Sequence, residues 1–310
     1  MYLEERKSGN KVKYYLVHSY REKDKVKKIR KYLGVNLSKE ELEKRRKHAE
    51  KFILEIIEGF NIEIFNFKLT KNQIEKLNEY DKQIKIQHLS DFNWTLFTDE
   101  FVYNTNAIEG SDVDLNEVKN LLEKGKSAKN SNERETKNVA KAVEFIRKTK
   151  EDLSLNLIKK IHKLCFDGTK NFAGKFREVN VVVRNSRGGI VHAGVLLGEL
   201  INSLNNLVKW YNQNKGKFKP LILAAIIHNQ FEHIHPFQDG NGRVGRLLLN
   251  FILLKNKYPP INILLEDRMK YYLILQDYSK RNNLKSTIEF LIDQYKKTLK
   301  QVGTKKKKVK

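Results

Sequence analysis

Cysteine is almost missing: Cys165 stands alone among 310 residues. No internal disulfide can staple this fold, which fits a reducing compartment. Proline (4) and glycine (16) are scarce, which excludes collagen-like and low-complexity chains. No apolar run approaches the ~18–20 residues that cross a bilayer, so no membrane association is expected. The opening residues Met1-Tyr2-Leu3-Glu4-Glu5-Arg6 bring acids early and no apolar stretch after them, unlike a secretory signal, and a cytoplasmic location is expected. Acidic residues are outnumbered, 37 Asp and Glu against 61 Lys and Arg, a net +24. The excess sits at the ends. Residues 1–51 hold 17 basic and 8 acidic residues, a net +9, and residues 296–310 hold 8 lysines and no acid. Such ends favour contact with nucleic acid and equally serve as solubilising charge. Richness in Lys, Glu and Ile with little Met and Cys also fits a thermophile.

With 40% hydrophobic residues the chain can bury a sizeable core. Residues 1–34 read as a basic, β-rich appendage. Val12–Tyr20 is β-branched and aromatic, Ser8-Gly9-Asn10 marks a turn before it, and Val26–Leu33 is a further strand ending at Gly34. A hairpin or three-stranded ribbon is expected, too small to stand alone. Residues 35–95 read as helical, with Ser38 and Thr70 as caps. Further helices are expected at about 92–108, 114–123, 132–148, 154–165, 195–213, 219–234, 242–256, 267–280 and 285–300. One hairpin interrupts them: Val179–Val183 faces Ile190–His192 across Ser186-Arg187-Gly188-Gly189. The fold class is therefore mainly α, a helical bundle with an internal β-hairpin and a small N-terminal β appendage. Residues 296–310 form a basic, lysine-rich tail.

The chemistry concentrates in His235-Pro236-Phe237-Gln238-Asp239-Gly240-Asn241-Gly242-Arg243-Val244-Gly245-Arg246. Pro236 bars His235 from the helical region, so the preceding helix ends near Ile234 and leaves the imidazole free. Gly240-Asn241-Gly242 can turn successive N–H groups toward an anion at the start of the next helix. Arg243 and Arg246 lie three apart on that helix and can clamp phosphates. Asp239 offers the hard oxygen that Mg²⁺ prefers. A base, a metal carboxylate, an anion nest and two arginines together suit phosphate chemistry. A zinc site at His228, His233 and His235 lacks a neighbouring Cys and a usual ligand spacing, and the first two read as packing residues. Cys165 reads as a buried small residue rather than a nucleophile.

This stretch resembles the Fic signature H-x-F-x-[D/E]-G-N-G-R-x-x-R at every defined position. The likeness extends to Ala173–Arg177 with the following hairpin, and to Tyr258-Pro259-Pro260 and Tyr271-Tyr272. It covers about 97–295, so residues 96–295 are taken as a Fic core. The resemblance implies a protein adenylyltransferase that moves AMP from ATP to a Ser, Thr or Tyr hydroxyl of a protein substrate. By resemblance, His235 takes the hydroxyl proton and Asp239 holds Mg²⁺. Gly240, Asn241 and Gly242 bind phosphate oxygens, Asn241 also through its side chain. Arg243 and Arg246 take the β- and γ-phosphates. Tyr272 lines the nucleotide pocket, with Asn282 a candidate neighbour of the base. Val181, Val182, Val183, Arg184, Ile190 and Val191 form a flap that grips the target by strand addition. The intact glycines argue against the family's phosphate-transferring members and do not decide between ATP and UTP. Family members often dimerise, which makes a homo-oligomer an expectation here.

Thr105-Asn106-Ala107-Ile108-Glu109-Gly110 resembles the family's inhibitory motif [S/T]-x-x-x-E-[G/N]. The resemblance implies that Glu109 pairs with Arg246 and removes the γ-phosphate clamp. In some relatives the same glutamate also serves AMP removal. The alternative reading, from the basic appendage and tail, is a nucleic-acid-binding regulatory protein whose Fic core is secondary or silent.

Overall fold

Alternation of polar and apolar residues over the first 35 positions folds into an antiparallel sheet of order β1 (Tyr2–Ser8), β2 (Lys11–Glu22), β3 (Lys25–Val35). This computed structural model describes residues 1–22, 25–57, 62–65, 67–84, 89–184 and 190–302, and the chain divides into two compact units, Met1–Lys76 and Leu77–Lys310. In the first unit β2 is central, pairing Leu3 with Leu16 and His18 with Ile29. The register shifts between Tyr14 and Tyr15, where Leu33 is the extra residue of β3, and a bulge of this kind re-aims a side chain. Leu33 joins Leu16, Ala49 and Ile53 in a small buried core. Ala49 and Ile53 come from α1 (Lys39–Ile57), so this helix covers one face of the sheet. Ser38 and Glu41 cap it reciprocally, each accepting the other's backbone N–H at 3.2 Å. The stretch read as purely helical also contains a short hairpin, β4 (Ile62–Ile64) with β5 (Phe67–Leu69). Its period-2 spacing of Ile62, Ile64, Phe67 and Leu69 suits strands better than a helix. Thr70 and Gln73 then form a second reciprocal cap on α2 (Lys71–Glu79), which straddles the boundary between the units.

The second unit is mainly α. It contains α3 (Trp94–Ile108), α4 (Leu115–Leu122), α5 (Ser131–Lys148), α6 (Leu155–Phe166), α7 (Leu200–Asn214), α8 (Pro220–Ile234), α9 (Asn241–Lys255), α10 (Arg268–Arg281) and α11 (Leu284–Val302). The side chains of Asn93, Asp114, Asn130 and Ser154 cap α3 to α6 by accepting N–H bonds three residues on. α7 begins five residues later than its apolar pattern predicts, because 197–199 form a 3₁₀ turn. α8 is buried from Leu221 to Phe231, and α9 is buried at most positions from Asn241 to Leu253. A helix that is apolar all round belongs inside a bundle. These two pack on each other, with α7, α10 and α11 around α8 and α3, α5 and α6 around α9. The internal hairpin is β6 (Val182–Arg184) with β7 (Ile190–Ala193), pairing Val183 with His192. Its Ser186–Gly189 tip and the tail from 303 onward lie outside the described residues. No helix among the described residues is long and apolar enough to cross a membrane.

Candidate active site

The turn joining α8 to α9 carries the chemistry, and its shape is held from several sides. His235 closes α8 in the left-handed region, φ +52°, rather than the extended conformation expected before a proline. Arg177 makes that conformation tenable: its guanidinium donates to the carbonyls of His235 at 2.9 Å, Val179 at 2.8 Å and Val195. Phe237 is fully buried and stacks on His162, ring centroids 3.8 Å apart. His162 Nδ1 accepts the Gly174 N–H at 2.8 Å, so its Nε2 carries the hydrogen and donates to the Asp239 carbonyl at 3.1 Å. Gly240 begins α9 at φ +80°, and a Cβ there would overlap the Phe166 ring. Only glycine meets both conditions.

Nδ1 of His235 lies 3.4 Å from the Glu232 carbonyl. A carbonyl only accepts, so Nδ1 carries the hydrogen and Nε2 is left as the basic nitrogen. Burial, reinforced by His192, lowers the His235 pKa to about 4, so the ring is neutral at pH 7. A cavity of about 490 Å³ opens beside it, lined by Val183, His192, His235, Gly242, Arg246 and Tyr272 among others.

Arg246 is 2% exposed and sits at the C-terminal end of α3. Its Nε donates to Thr105 Oγ1 at 2.7 Å, and its Nη2 donates to the Thr105 carbonyl at 3.0 Å and to Glu109 Oε1 at 2.7 Å. Thr105 and Glu109 are one turn apart, so one helix face presents both. Glu109 is held there by the helix ending. Gly110, at φ +91°, and Ser111 donate their N–H groups to the Ala107 and Asn106 carbonyls, both at 3.0 Å, a Schellman closure. The carboxylate also rests on the loop, since a Cβ at Gly242 would overlap Glu109 Oε1. Glu109 thus occupies the N-terminal turn of α9, where the helix dipole favours an anion. Burial alone would lower the Arg246 pKa; the Glu109 carboxylate, together with Tyr271 and Glu232, outweighs it and keeps the guanidinium charged.

The site departs from the expected one at three positions. Both amide atoms of the Asn241 side chain bond the backbone of Phe237, each at 2.8 Å, so this side chain braces the turn instead of reaching a phosphate. Arg243 turns away from the cavity, pairs with buried Glu135 at 2.5 Å and lies 4.3 Å over the Phe166 ring. Asn282 caps the C-terminus of α10 at φ +54° and does not line the cavity. Tyr272 does line it and donates to the Ile108 carbonyl at 3.0 Å, beside Glu109. Val181 accepts the Gly194 N–H at 3.2 Å, while Val182 is exposed. Arg184, Ile190 and Val191 belong to the paired strands, and their side chains lie outside the described residues. His228 is buried against the Tyr271 hydroxyl at 2.9 Å, and Cys165 is buried with its thiol pKa pushed up to about 12 by desolvation.

Sequence reasoning placed Arg177 in the Ala173–Arg177 likeness but gave it no role, because it bonds carbonyls 18 and 58 residues away that no local pattern links to it. It passed over Glu232. Its Oε1 is buried in the cavity wall without a hydrogen-bond partner, and burial raises the carboxyl's pKa to about 8. Gly245 makes room for it, because a Cβ there would overlap that oxygen.

Residues 152–253 match the Fic/DOC family. The chain belongs to that family. It is similar to the protein adenylyltransferase Fic of Aedes aegypti, 32% identical over 248 residues, covering 74% of this chain and 48% of that protein. It is similar to the protein of the same name from Drosophila melanogaster, 30% identical over 210 residues, covering 64% and 41%. The chain therefore spans less than half the length of these relatives. Among solved structures it resembles a Fic-domain signalling protein from Bacteroides thetaiotaomicron, with TM-score 0.61, 27% identity, and coverage of 73% of this chain and 94% of that one. The fold is also that of Fic-1 from C. elegans, TM-score 0.58 at 23% identity, covering 86% and 78%. The Fic core thus carries its loop between α8 and α9 and its acidic cap at the end of α3.

Proposed function

We propose that this Fic chain is a self-inhibited protein adenylyltransferase, transferring AMP from ATP to a Ser, Thr or Tyr hydroxyl of a protein substrate. The observation that carries the reading is the double seat of Glu109, paired with Arg246 and resting on Gly242. A carboxylate held where a phosphate would bind marks an anion site closed by the chain's own residue. In the open state, Arg246 and the N–H groups at the start of α9 hold the triphosphate, and the hairpin lays the target segment along the cavity. His235 Nε2 takes the hydroxyl proton as the oxygen attacks the α-phosphorus. The new O–P bond forms as the α–β anhydride bond breaks, and pyrophosphate leaves. Neutral imidazole can accept that proton, and the triphosphate's negative charge raises its basicity above the value set by burial. The names of the relatives favour ATP over UTP.

Asp239 suits Mg²⁺. Its Oδ1 accepts the Gly240 N–H at 2.6 Å, while Oδ2 has Lys170 only at 3.8 Å and sits on a half-exposed side chain. No cluster of three His, Cys, Asp or Glu residues among those described forms a closed metal cage. That matches an ion held by one carboxylate, waters and substrate phosphates. When bound, Mg²⁺ neutralises charge developing on the leaving phosphates.

Intact-mass spectrometry of wild type, Glu109→Gly and His235→Ala with Mg²⁺ and each of the four nucleotides tests the reading. Gain of one AMP on a hydroxyl by Glu109→Gly, much less by wild type and none by His235→Ala supports it. No transfer by any variant, to itself or to an added extract, overturns it. AMP removal by the same centre is tested with a pre-modified protein; removal that survives Glu109→Gln excludes Glu109 as its agent.

A further inference from the structure

The sheet of the first unit has a second face, away from the cluster around Leu16, on which Val17 alone is buried among the described side chains. Strand alternation sends Leu3, Tyr14, Leu16 and Ile29 toward α1. The opposite face carries Arg6, Lys11, Lys13, Lys28 and Arg30, all exposed, with Glu4 as its one acid among the described side chains. Between the basic residues lie Tyr2 and Tyr32, 44% and 51% exposed, and Tyr15, whose ring centroid is 5.3 Å from that of Tyr32. The central strand β2 has 12 residues, about 40 Å long at ~3.4 Å per residue. Glu4 accepts from Arg6 at 2.6 Å and from Arg30 at 3.0 Å, so it draws two cations from β1 and β3 together across the face.

We propose that this outward face of β1–β2–β3 binds double-stranded DNA, with Arg6, Lys13, Lys28 and Arg30 on the phosphates and the tyrosine row against the groove. The partner is chosen by charge and shape. Five cations on one face complement a polyanion, and the ~12 Å major groove of B-DNA admits a β-ribbon. The deep, narrow major groove of duplex RNA does not. A lipid surface would call for an apolar wedge of Leu, Phe or Trp, and the face offers tyrosines and the short side chains of Val26 and Val35 instead. On binding, Arg6 and Arg30 exchange Glu4 for phosphates, so Glu4 limits affinity. This face belongs to the first unit and the cavity to the second, and the proposal does not depend on the reading of that cavity.

The test is fluorescence anisotropy of the 310-residue chain on ~30-bp DNA and RNA duplexes of one sequence, between ~50 and ~300 mM NaCl. Four phosphate contacts give a log–log salt slope of about −4 for DNA. Arg6→Gln, Lys13→Gln, Lys28→Gln and Arg30→Gln together abolish most of that slope. Lys13→Gln and Lys28→Gln alone, at exposed positions where folding is not at stake, each flatten it by about 1. Glu4→Gln tightens binding. Replacing exposed Lys39, Lys44, Lys47 and Lys51 of α1 by Gln removes the same charge and leaves the slope nearly unchanged. The proposal is overturned if duplex RNA binds as tightly as DNA. It is equally overturned if the α1 variant loses as much as the sheet variant, or if the sheet variants bind like wild type.

Discussion

Glu109→Gly separates the two consequences of a single carboxylate. It uncovers the anion position over Gly242 and leaves Arg246 without its counter-ion. Breaking a fully buried pair destabilises by about 3–5 kcal/mol. Here the Glu109 side chain is 28% exposed, and Thr105 still accepts two of the Arg246 hydrogen bonds. The loss should therefore be about 2–3 kcal/mol. The second unit spans Leu77–Lys310; in a domain of that size, this corresponds to a fall in Tm of roughly 5–10 °C. A triphosphate replaces the missing anion, and at ~100 times its Kd it returns about 2.7 kcal/mol. The variant should therefore melt lower than wild type alone and recover most of the difference with ATP and Mg²⁺, while wild type shifts little. Transfer should rise by about 10²-fold, the scale on which a ~1 Å misplacement of a reacting phosphate acts. Differential scanning fluorimetry and intact-mass spectrometry on one set of samples read both effects. An unchanged Tm, or a nucleotide-induced shift no larger than that of wild type, would refute the argument that Glu109 occupies the phosphate site.

Buried titratable groups set the pH dependence of stability. His162, His228 and His235 all have pKa values lowered to about 4, chiefly by burial. The unfolded state binds their protons first, so stability falls as pH drops from about 6.5 toward 4. Glu232, raised to about 8 by burial, and Asp99, raised to about 7 mainly by burial, act in the opposite sense. The folded state keeps their protons longer, so stability falls as pH rises from about 4.5 through 8. These groups place the maximum near pH 6.5, and Glu232→Gln should flatten the alkaline limb in urea melts; an unchanged limb would show that Glu232 ionises freely. Arg177→Ala leaves three carbonyls unpaired and should cost about 3 kcal/mol or more, with a loss of transfer rate that exceeds any change in KM; urea midpoints and steady-state kinetics decide it. Gly240→Ala meets both an unfavourable φ and the Phe166 ring, and Phe166→Ala relieves only the second. A double-mutant cycle in chemical denaturation should therefore show partial rescue, and full additivity would mean that the two positions do not touch.

Much of the site was legible because its parts are neighbours in the chain. His235 to Arg246 spans one turn and the start of one helix, so the expectation of phosphate chemistry could be drawn from its residue types alone. The pairing of Glu109 with Arg246 was expected only through the resemblance of Thr105–Gly110 to the family's inhibitory motif, and the helix then puts Thr105 and Glu109 on one face. Caps at Ser38 and Thr70 followed from local hydrogen bonding. The short hairpin at 62–69 was missed because two three-residue strands give a weak periodic signal.

What the amino-acid order determined by itself was most of what local geometry governs: most helix positions and caps, the glycine-rich turn before α9, the basic sheet, the acid at the end of α3. Tertiary structure decided which side chains face one another. It sent Arg243 to Glu135, turned the Asn241 amide back onto Phe237, and brought Arg177 to the carbonyl of His235. It also buried Oε1 of Glu232 beside Arg246. Each of these depends on helices distant in the chain meeting across a close-packed core, where a buried polar atom bonds whatever partner the packing supplies. That choice is made in three dimensions, and no spacing along one dimension encodes it.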